Sequence, residues 1–271
     1  MLFAKEYLGE VGVGATSPLF FRADDGHIYI VKVMTNPLGG KVLANEYIAA
    51  RFGHILRLPF PISDYFYITN EWLEQHPHLR EAGISAGVHF ASRYIEDVCY
   101  LTTESLSVIN NRSEVAGMIL FDHLFHNADR AHNKKNMLLS PIKVDTYMLY
   151  GIDHSHLFRS GRWTASSLHD WEYRIRIYDQ NWYGIFLSKW IYANDFLPYI
   201  YIIEEINDNI IKSILRSIPY EWLPDKAERK ALFHFIKTRF ELVGNIYQKI
   251  CRYIPTARGG CNIPAYQASY W

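Results

Sequence analysis

The chain changes its sequence pattern once, between residues 95 and 110. Before this point, short strand-like runs alternate with turn signals, and after it longer runs carry apolar residues at helical spacing. Strands gathered in one part of a chain and helices in the other are typical of α+β proteins. We therefore expect an α+β fold with a small β-rich N-lobe (1–95), a larger and mostly helical C-lobe (96–255) and a C-terminal tail (256–271).

Local signals predict elements within each part. Asp25-Gly26 predicts a hairpin turn between strands at 19–22 and 28–33, and the proline-led segment 58–70 predicts a further strand. Apolar residues recur at helical spacing in four segments, which predict helices at 41–56, 113–126 (with Ser113 as the N-cap), 207–218 and 225–254.

Composition and charge narrow the class of protein. The chain has 271 residues, and its 28 lysines and arginines balance 28 aspartates and glutamates, so the formal net charge is zero. A balanced chain has no bulk attraction to nucleic acid or to an anionic membrane, and we expect neither as a partner. Aromatic residues are concentrated in 171–201, which we interpret mainly as core packing.

The N-terminus and the cysteines favour a cytoplasmic protein. Charges at Lys5, Glu6 and Glu10 interrupt any signal-peptide region, and no apolar run approaches the roughly 18 residues of a membrane span. The three cysteines are far apart and form no C-x-x-C pair, so they predict neither a disulfide framework nor a zinc site.

A polar stretch lies between two hydrophobic anchors at residues 121–139, FDHLFHNADRAHNKKNMLL. Asp129 and Asn136 lie within it, and Asp153 follows the next apolar strand, whereas Asp145 is interpreted as a turn residue. A carboxylate, an amide oxygen and a second carboxylate form the oxygen set that Mg²⁺ prefers beside substrate phosphates. A carboxylate of such a group can also accept a proton from an attacking hydroxyl.

The N-lobe supplies candidate phosphate contacts. Lys32 lies in the apolar run IYIVKV, where a buried ammonium needs a counter-charge, and Glu46 on the following helix can provide it. A glycine-rich loop lies upstream, where backbone N–H groups can approach phosphates closely, and its candidate residues are Gly12, Gly14, Thr16 and Ser17. Taken singly, each signal except Asp129 has an ordinary structural explanation. Their order along the chain is the order in which kinase folds use such residues to hold Mg-ATP between two lobes.

Three segments of the chain together resemble the HipA-like kinases: 29–61, 121–139 and 150–158. The similarity is greatest to a short bacterial branch built around a pattern of the type N-x-D-R-x-x-x-N-x-N-x-L-L. It extends to SIPYEWL at 217–223 and spans roughly residues 9–240. The resemblance implies a bilobal, protein-kinase-like fold that uses ATP and Mg²⁺ to phosphorylate a hydroxyl, and a serine or threonine of a protein is the expected acceptor.

By position in these motifs, the resemblance also implies a role for each candidate. The catalytic group would comprise Asp129, supported by Asn127 and Arg130. The metal ligands would be Asn136 and Asp153. ATP would contact Lys32, Glu46, Gly12, Gly14, Thr16 and Ser17, with its adenine against 87–97. The chain departs from the pattern at Lys134-Lys135, where a proline is usual, and at Ser155, where a glycine is usual.

Other functions remain open on the sequence. Imidazoles and carboxylates near the polar stretch offer a transition-metal hydrolase set, namely His123, His126, Asp129, Asp153, His154 and His156. A nucleotide-binding module without turnover is a second alternative. Because Thr16 and Ser17 lie in the candidate phosphate loop, self-phosphorylation there is a further hypothesis.

Overall fold

The first part of the chain forms a five-stranded barrel. The computed structural model describes residues 1–261, and its barrel strands are β1 (Leu2–Glu10), β2 (Leu19–Ala23), β3 (Ile28–Lys32), β4 (Ser63–Ile68) and β5 (Gly87–Arg93). Their order around the barrel is β1-β2-β3-β5-β4, and parallel pairing of β1 with β4 closes it. Because side chains alternate between the two faces of a strand, Phe21, Val31 and Phe66 fill the interior without exposed surface.

Strands β2 and β3 form the hairpin that Asp25-Gly26 predicts. Gly26 has a φ of 86°, a left-handed conformation that glycine adopts without a steric penalty. The N–H of His27 donates to Asp25 Oδ1 at 3.0 Å and closes the turn. The predicted hairpin is confirmed. It could be predicted from the sequence because all of the interacting residues lie close together in the chain.

Helix α1 (Gly40–Ile55) joins the barrel to the helical part of the molecule. Residues 42–49 are all buried, and the apolar ones belong to the hydrophobic core of the helical part rather than to the barrel interior. Lys41 Nζ donates to Glu228 Oε1 at 2.5 Å, and the Asn45 amide donates to the Ser155 carbonyl at 2.8 Å. The helix therefore carries its polar residues into the region between the barrel and the helices.

Two short helices and a second sheet follow. Helices α2 (Asn70–Glu74) and α3 (Pro77–Glu81) contribute Leu73 and Leu79 to the barrel core. The second sheet has the order β6-β7-β8, formed by Cys99–Tyr100, Met137–Lys143 and Thr146–Gly151. Asp145 lies in the turn between β7 and β8 with a φ of 52°, as its prediction as a turn residue requires.

Helices make up most of the remaining described chain. They are α4 (Arg112–Leu124), α5 (Asp129–His132), α6 (Ala165–Trp171), α7 (Asn181–Lys189), α8 (Leu197–Glu204), α9 (Asp208–Ser217), α10 (Lys226–Glu241) and α11 (Val243–Cys251). The protein is thus a mixed α+β fold with its strands concentrated in the first part. The interpretation of 171–201 as core holds for Tyr183, Phe186 and Phe196, which have no exposed surface.

Two helix predictions were wrong in detail. Helix α4 begins at Arg112, and Ser113 lies inside it; the N-cap residue Asn111 uses its side chain to bind the backbone of Leu149. The segment 225–254 forms two helices rather than one, because the chain leaves helical geometry at Leu242 between α10 and α11. Both helices keep buried apolar residues in the same core.

The predicted tail is described only in part. Thr256–Arg258 forms a short 3₁₀ turn, and residues 262–271 lie outside the described residues. Among residues 1–261, no helix combines the length and the apolar character needed to cross a lipid bilayer.

Candidate active site

Lys32 stands at the centre of a buried ion cluster between the barrel and the helices. It is the last residue of β3, and its ammonium donates to Glu46 Oε1 on α1 and, at 2.9 Å, to Asp153 Oδ1 beyond β8. Lys32 is 8% exposed and Glu46 is 4% exposed. The counter-charge that a lysine on a buried strand requires is therefore supplied by two carboxylates from distant parts of the chain.

The three charges stabilise one another against burial. Burial disfavours the ammonium, but the carboxylates of Asp153 and Glu46 outweigh it and raise the pKa of Lys32. In the same way, burial disfavours the charge on Glu46 and Asp153, yet Lys32 lowers the pKa of each carboxyl below its ordinary value. All three groups are charged at neutral pH.

Asp153 is held in a fixed orientation by its own loop. Its backbone is left-handed, with a φ of 56°, and its Oδ1 accepts from the Ser155 hydroxyl at 2.7 Å. Within residues 1–261, Asp153 Oδ2 accepts no side-chain or backbone hydrogen bond, so this oxygen is free to bind a cation. Ser155, at the position where a glycine is usual, thus contributes a hydrogen bond to this carboxylate.

Asp129 and Asn136 meet across the loop that separates them. Asp129 opens α5, and Asn136 Nδ2 donates to Asp129 Oδ2 at 2.5 Å. Asn133 sets the orientation of Asn136, because Asn133 Nδ2 donates to Asn136 Oδ1 at 3.2 Å. The Asn133 side chain also accepts from the Lys135 N–H at 3.1 Å and caps the short 3₁₀ turn Lys134–Asn136. Oδ1 of Asp129 accepts no hydrogen bond within the described chain.

Asn127 and Arg130 lie beneath this loop rather than in the cleft. Both are fully buried, and both donate to Asp122, Asn127 at 2.9 Å and Arg130 Nη1 at 3.3 Å. The Tyr183 hydroxyl donates to the second oxygen of the same carboxylate. Burial raises the pKa of Asp122, and Arg130 and Tyr183 counteract that effect. These contacts support the loop that carries Asp129.

Asp122 is a residue that the sequence analysis missed. It was visible as a single carboxylate in the apolar run ILFDHLF, where a buried charge needs a partner. His156 was assigned only to the hydrolase alternative, although its Nδ1 lies 3.9 Å from Asp129 Oδ2 and its side chain is 46% exposed. Among the ion pairs of the described chain, the pair with His156 is the one that involves Asp129.

A cleft of about 290 Å³ brings together residues from the barrel, α1 and the loops. The predicted residues that line it are Gly14, Thr16, Lys32, Glu46, Asn136 and Asp153. Its apolar walls include Ile30, Ile95, Val98, Leu138 and Ile152. Apolar walls of this kind can bind a flat aromatic ring of a ligand. Ser92, Arg93, Tyr94 and Ile95, from the segment 87–97, also line it. Asp129 does not line the cleft, but it is hydrogen-bonded to Asn136, which does.

The glycine-rich loop lies between β1 and β2. Gly12 and Gly14 have φ values of 75° and 102°, in the region that favours glycine. Thr16 is buried, whereas Ser17 is exposed. Gly12 and Ser17 do not line the cleft. Of the two residues considered for self-phosphorylation, Ser17 is thus exposed outside the cleft, and Thr16 is a buried residue that lines it.

The histidines of the hydrolase alternative do not converge on a metal site. His123 uses both ring nitrogens, at Ile119 O (2.6 Å) and at the Tyr178 N–H (2.9 Å), and burial lowers its pKa to about 4. His126 contacts the Tyr178 hydroxyl and Trp171 O, each at 3.2 Å. Within residues 1–261, no group of three or more His, Cys, Asp or Glu side chains is arranged to hold a metal ion. His123 and His126 are thus engaged by hydrogen bonds away from the cleft.

Comparison with known proteins finds a family model and a solved structure that the chain resembles. The structure resembles that of CtkA, a proinflammatory kinase of Helicobacter pylori, with a TM-score of 0.56 and 13% sequence identity over 92% of this chain and 97% of that one. At this identity the likeness concerns the fold alone. No curated protein sequence matches the chain. The family model described as HipA-like kinase matches residues 5–249. This protein is therefore a member of the HipA-like kinase family, and as such a phosphotransferase.

Proposed function

We propose that the protein transfers the γ-phosphoryl group of ATP, with Mg²⁺, to a serine or threonine hydroxyl of a protein acceptor. The observation that carries the proposal is the convergence of two clusters at one cleft. Lys32 and Asp153 are 2.9 Å apart, and Asn136 links the same cleft to Asp129 at 2.5 Å. Phosphoryl transfer requires mainly positioning and charge neutralisation, and these groups provide both.

The side chains support a magnesium ion between Asn136 and Asp153. Asp153 has one oxygen free, and Asn136 Oδ1 accepts a single hydrogen bond within the described residues, from Asn133. Mg²⁺ accepts one or two protein oxygens together with phosphate oxygens and water, so this pair is sufficient. When bound, the ion would neutralise charge on the phosphates. Asn133 and Ser155 would hold the two ligands in place.

Lys32 would contact the phosphates from the barrel side. Its ammonium is fixed by Glu46, so it can present a positive charge without losing side-chain entropy on binding. The N–H groups of the glycine-rich loop, with Gly14 at the cleft, would approach the same phosphates. The adenine would lie against Ile95 and Leu138, on the apolar side of the cleft.

Asp129 would orient the acceptor hydroxyl and take its proton. Its Oδ2 is held by Asn136, which leaves Oδ1 free to accept a hydrogen bond from the hydroxyl. Asn127 and Arg130 would act through Asp122 by keeping the loop in place. His156, 3.9 Å from the carboxylate, would then lie beside the acceptor hydroxyl.

Labelled ATP tests this proposal directly. The protein is incubated with γ-labelled ATP and cell extract, with Mg²⁺ and with a chelator, and the labelled species is identified by mass spectrometry. We expect label on a serine or threonine of a protein, and no label in the presence of the chelator. Binding of ATP without transfer to any hydroxyl would instead favour a non-catalytic module, and label on a small molecule would refute the protein acceptor.

A further inference from the structure

An exposed group of arginines lies beside the loop that carries Asp129. Arg159 and Arg174 are both exposed, and their guanidinium carbons lie 3.6 Å and 5.0 Å from the centre of the same indole, that of Trp171. We call these three residues, with the exposed Arg176, the arginine surface. Positive charge stacked on an aromatic ring remains available for hydrogen bonds at its edge.

Backbone contacts fix this surface next to the catalytic loop. The N–H of Phe158 donates to Phe125 O at 2.7 Å, and that of Arg159 donates to His126 O at 3.2 Å. His126, which lies three residues before Asp129, also contacts Trp171, with the two rings 5.4 Å apart in an edge-on arrangement. The backbone at residues 158–159 is therefore hydrogen-bonded to residues 125–126, which lead into Asp129.

The backbone at this point is held in an unfavourable conformation. Phe158 and Arg159 have φ values of 58° and 73°, in the left-handed region that non-glycine residues rarely occupy. Such conformations are concentrated at binding and active sites. Here the conformation buries Phe158 and leaves Arg159 exposed on Trp171.

The arginines are available for a partner. Arginine ion pairs within residues 1–261 are formed by Arg22, Arg51 and Arg130. Arg159, Arg174 and Arg176 form none there, and their guanidinium groups donate no hydrogen bond within the described chain. Arg176 lies two residues after Arg174 in the chain, and both side chains are exposed.

The loop that follows Asp129 is also positively charged. Lys134 and Lys135 are exposed, and the loop 130–136 contains no acidic residue. Of the nearby acids, Glu172 is buried and bound to His169 at 2.9 Å, which leaves Asp170 exposed and Asp179 partly exposed. The chain as a whole is neutral, so this group of exposed arginines is a local feature.

We propose that the arginine surface binds an acidic segment of the protein acceptor. Aspartate or glutamate side chains near the phosphorylated hydroxyl would pair with Arg159 and Arg174, while the hydroxyl reaches Asp129. Planar guanidinium groups match carboxylates in geometry, which favours this partner over a neutral segment. This inference rests on the proposed function for the transfer step, but the binding of an acidic peptide does not require turnover.

Binding of synthetic peptides tests the recognition of an acidic segment separately from phosphoryl transfer. The probes are two fluorescent peptides with a central serine, one flanked by aspartate and the other by lysine, measured by anisotropy at low and at physiological ionic strength. We expect the acidic peptide to bind at least about tenfold more tightly than the basic one. The double variant Arg159→Ala/Arg174→Ala should lose about tenfold in affinity, and Lys212→Ala, which removes an exposed lysine stacked 5.1 Å from Phe233, should not.

Transfer to the same peptides gives a second readout. The double variant should raise KM for the acidic peptide by about tenfold, with kcat and KM for ATP unchanged. Equal binding of both peptides, or an unchanged acidic preference in the double variant, would overturn the inference. Tighter binding of a single-stranded RNA than of the acidic peptide would also overturn it. Tight acidic-peptide binding without phosphorylation would leave the surface standing and count against the proposed function.

Discussion

Lys32 Nζ and Asp153 Oδ1 are 2.9 Å apart, although 121 positions separate them in the sequence. Glu46 on α1 binds the same ammonium, so one lysine joins the barrel, the helix and the loop beyond β8. The pair links the candidate phosphate contact to the candidate metal ligand.

Replacing Lys32 by methionine should reduce phosphoryl transfer by at least about 100-fold, because a fixed positive charge at the phosphates is lost. The variant also leaves Glu46 buried without its cation, so Lys32→Met/Glu46→Gln is measured beside it to remove that charge. Lys41→Met, which removes another partly buried lysine with a carboxylate partner, serves as the control. Initial rates with labelled ATP check the prediction, and full activity in both Lys32 variants would contradict it.

The hydroxyl of Ser155 should tune the affinity for Mg²⁺. Ser155→Ala removes the 2.7 Å hydrogen bond to Asp153, and a bond of this kind contributes about 1 kcal/mol. We expect the Mg²⁺ concentration for half-maximal transfer to rise about fivefold, with little change in the maximal rate. A magnesium titration of the variant, beside Ser188→Ala on the surface of α7, checks it. An unchanged half-maximal concentration would show that the hydroxyl does not orient Asp153.

Asn133 should act as a positioning residue for Asn136. Asn133→Ala removes both the cap on the 3₁₀ turn and the contact to Asn136 Oδ1, and we expect kcat to fall about tenfold. Asn133→Asp keeps the acceptor that caps the turn but loses the donor to Asn136. If positioning is the role, the aspartate variant should be impaired like the alanine variant. Recovery of kcat in the aspartate variant would assign the role to the cap alone.

Stability should fall in mild acid because of three buried histidines. Burial lowers the pKa of His89 and His123 from 6.5 to about 4 and that of His126 from 6.5 to about 3. Between these values and 6.5 the unfolded chain binds protons that the folded chain does not. The free energy of unfolding therefore decreases as the pH falls below 6.5, by up to about 1.4 kcal/mol per pH unit for each histidine.

Urea unfolding at several pH values checks this slope. His123→Gln should reduce the slope, whereas His234→Gln, at an exposed position, should leave it unchanged. Protonation of Glu46 and Asp153 changes the free energy of unfolding only at lower pH, because the pKa values of these two carboxyls are lowered below those of ordinary carboxyls. A free energy of unfolding that stays constant from neutral pH down to about pH 5 would contradict the prediction.

Local patterns were sufficient for much of the fold. The hairpin at Asp25-Gly26 and helix α1 were predicted because their signals lie within a few residues of one another. Strand β1 was missed, since register shifts between Ala4 and Glu6 and between Tyr7 and Gly9 break its alternation. Barrel closure depends on the pairing of Leu2 with Phe66, a contact that no local pattern encodes.

The candidate site was predictable as a set of residues but not as a geometry. The order of the motifs along the chain predicts that Lys32, Asp129 and Asn136 belong to one site. It did not indicate that Asn127 and Arg130 contact Asp122 rather than the cleft, because a hydrogen bond across buried helices leaves no spacing signal. The stacking of Arg159 on Trp171 was likewise not predictable, since it depends on a left-handed backbone at a non-glycine residue.

Asp129→Asn tests the central claim most directly, because it changes one carboxylate oxygen and little else. ATP binding by calorimetry and transfer from labelled ATP are measured for the wild type, for Asp129→Asn and for Asp145→Asn in the turn between β7 and β8. The account predicts that the Asp129 variant binds ATP nearly as the wild type does but transfers phosphate at least about 1,000-fold more slowly, while the Asp145 variant keeps both activities. Transfer at the wild-type rate by the Asp129 variant would contradict it.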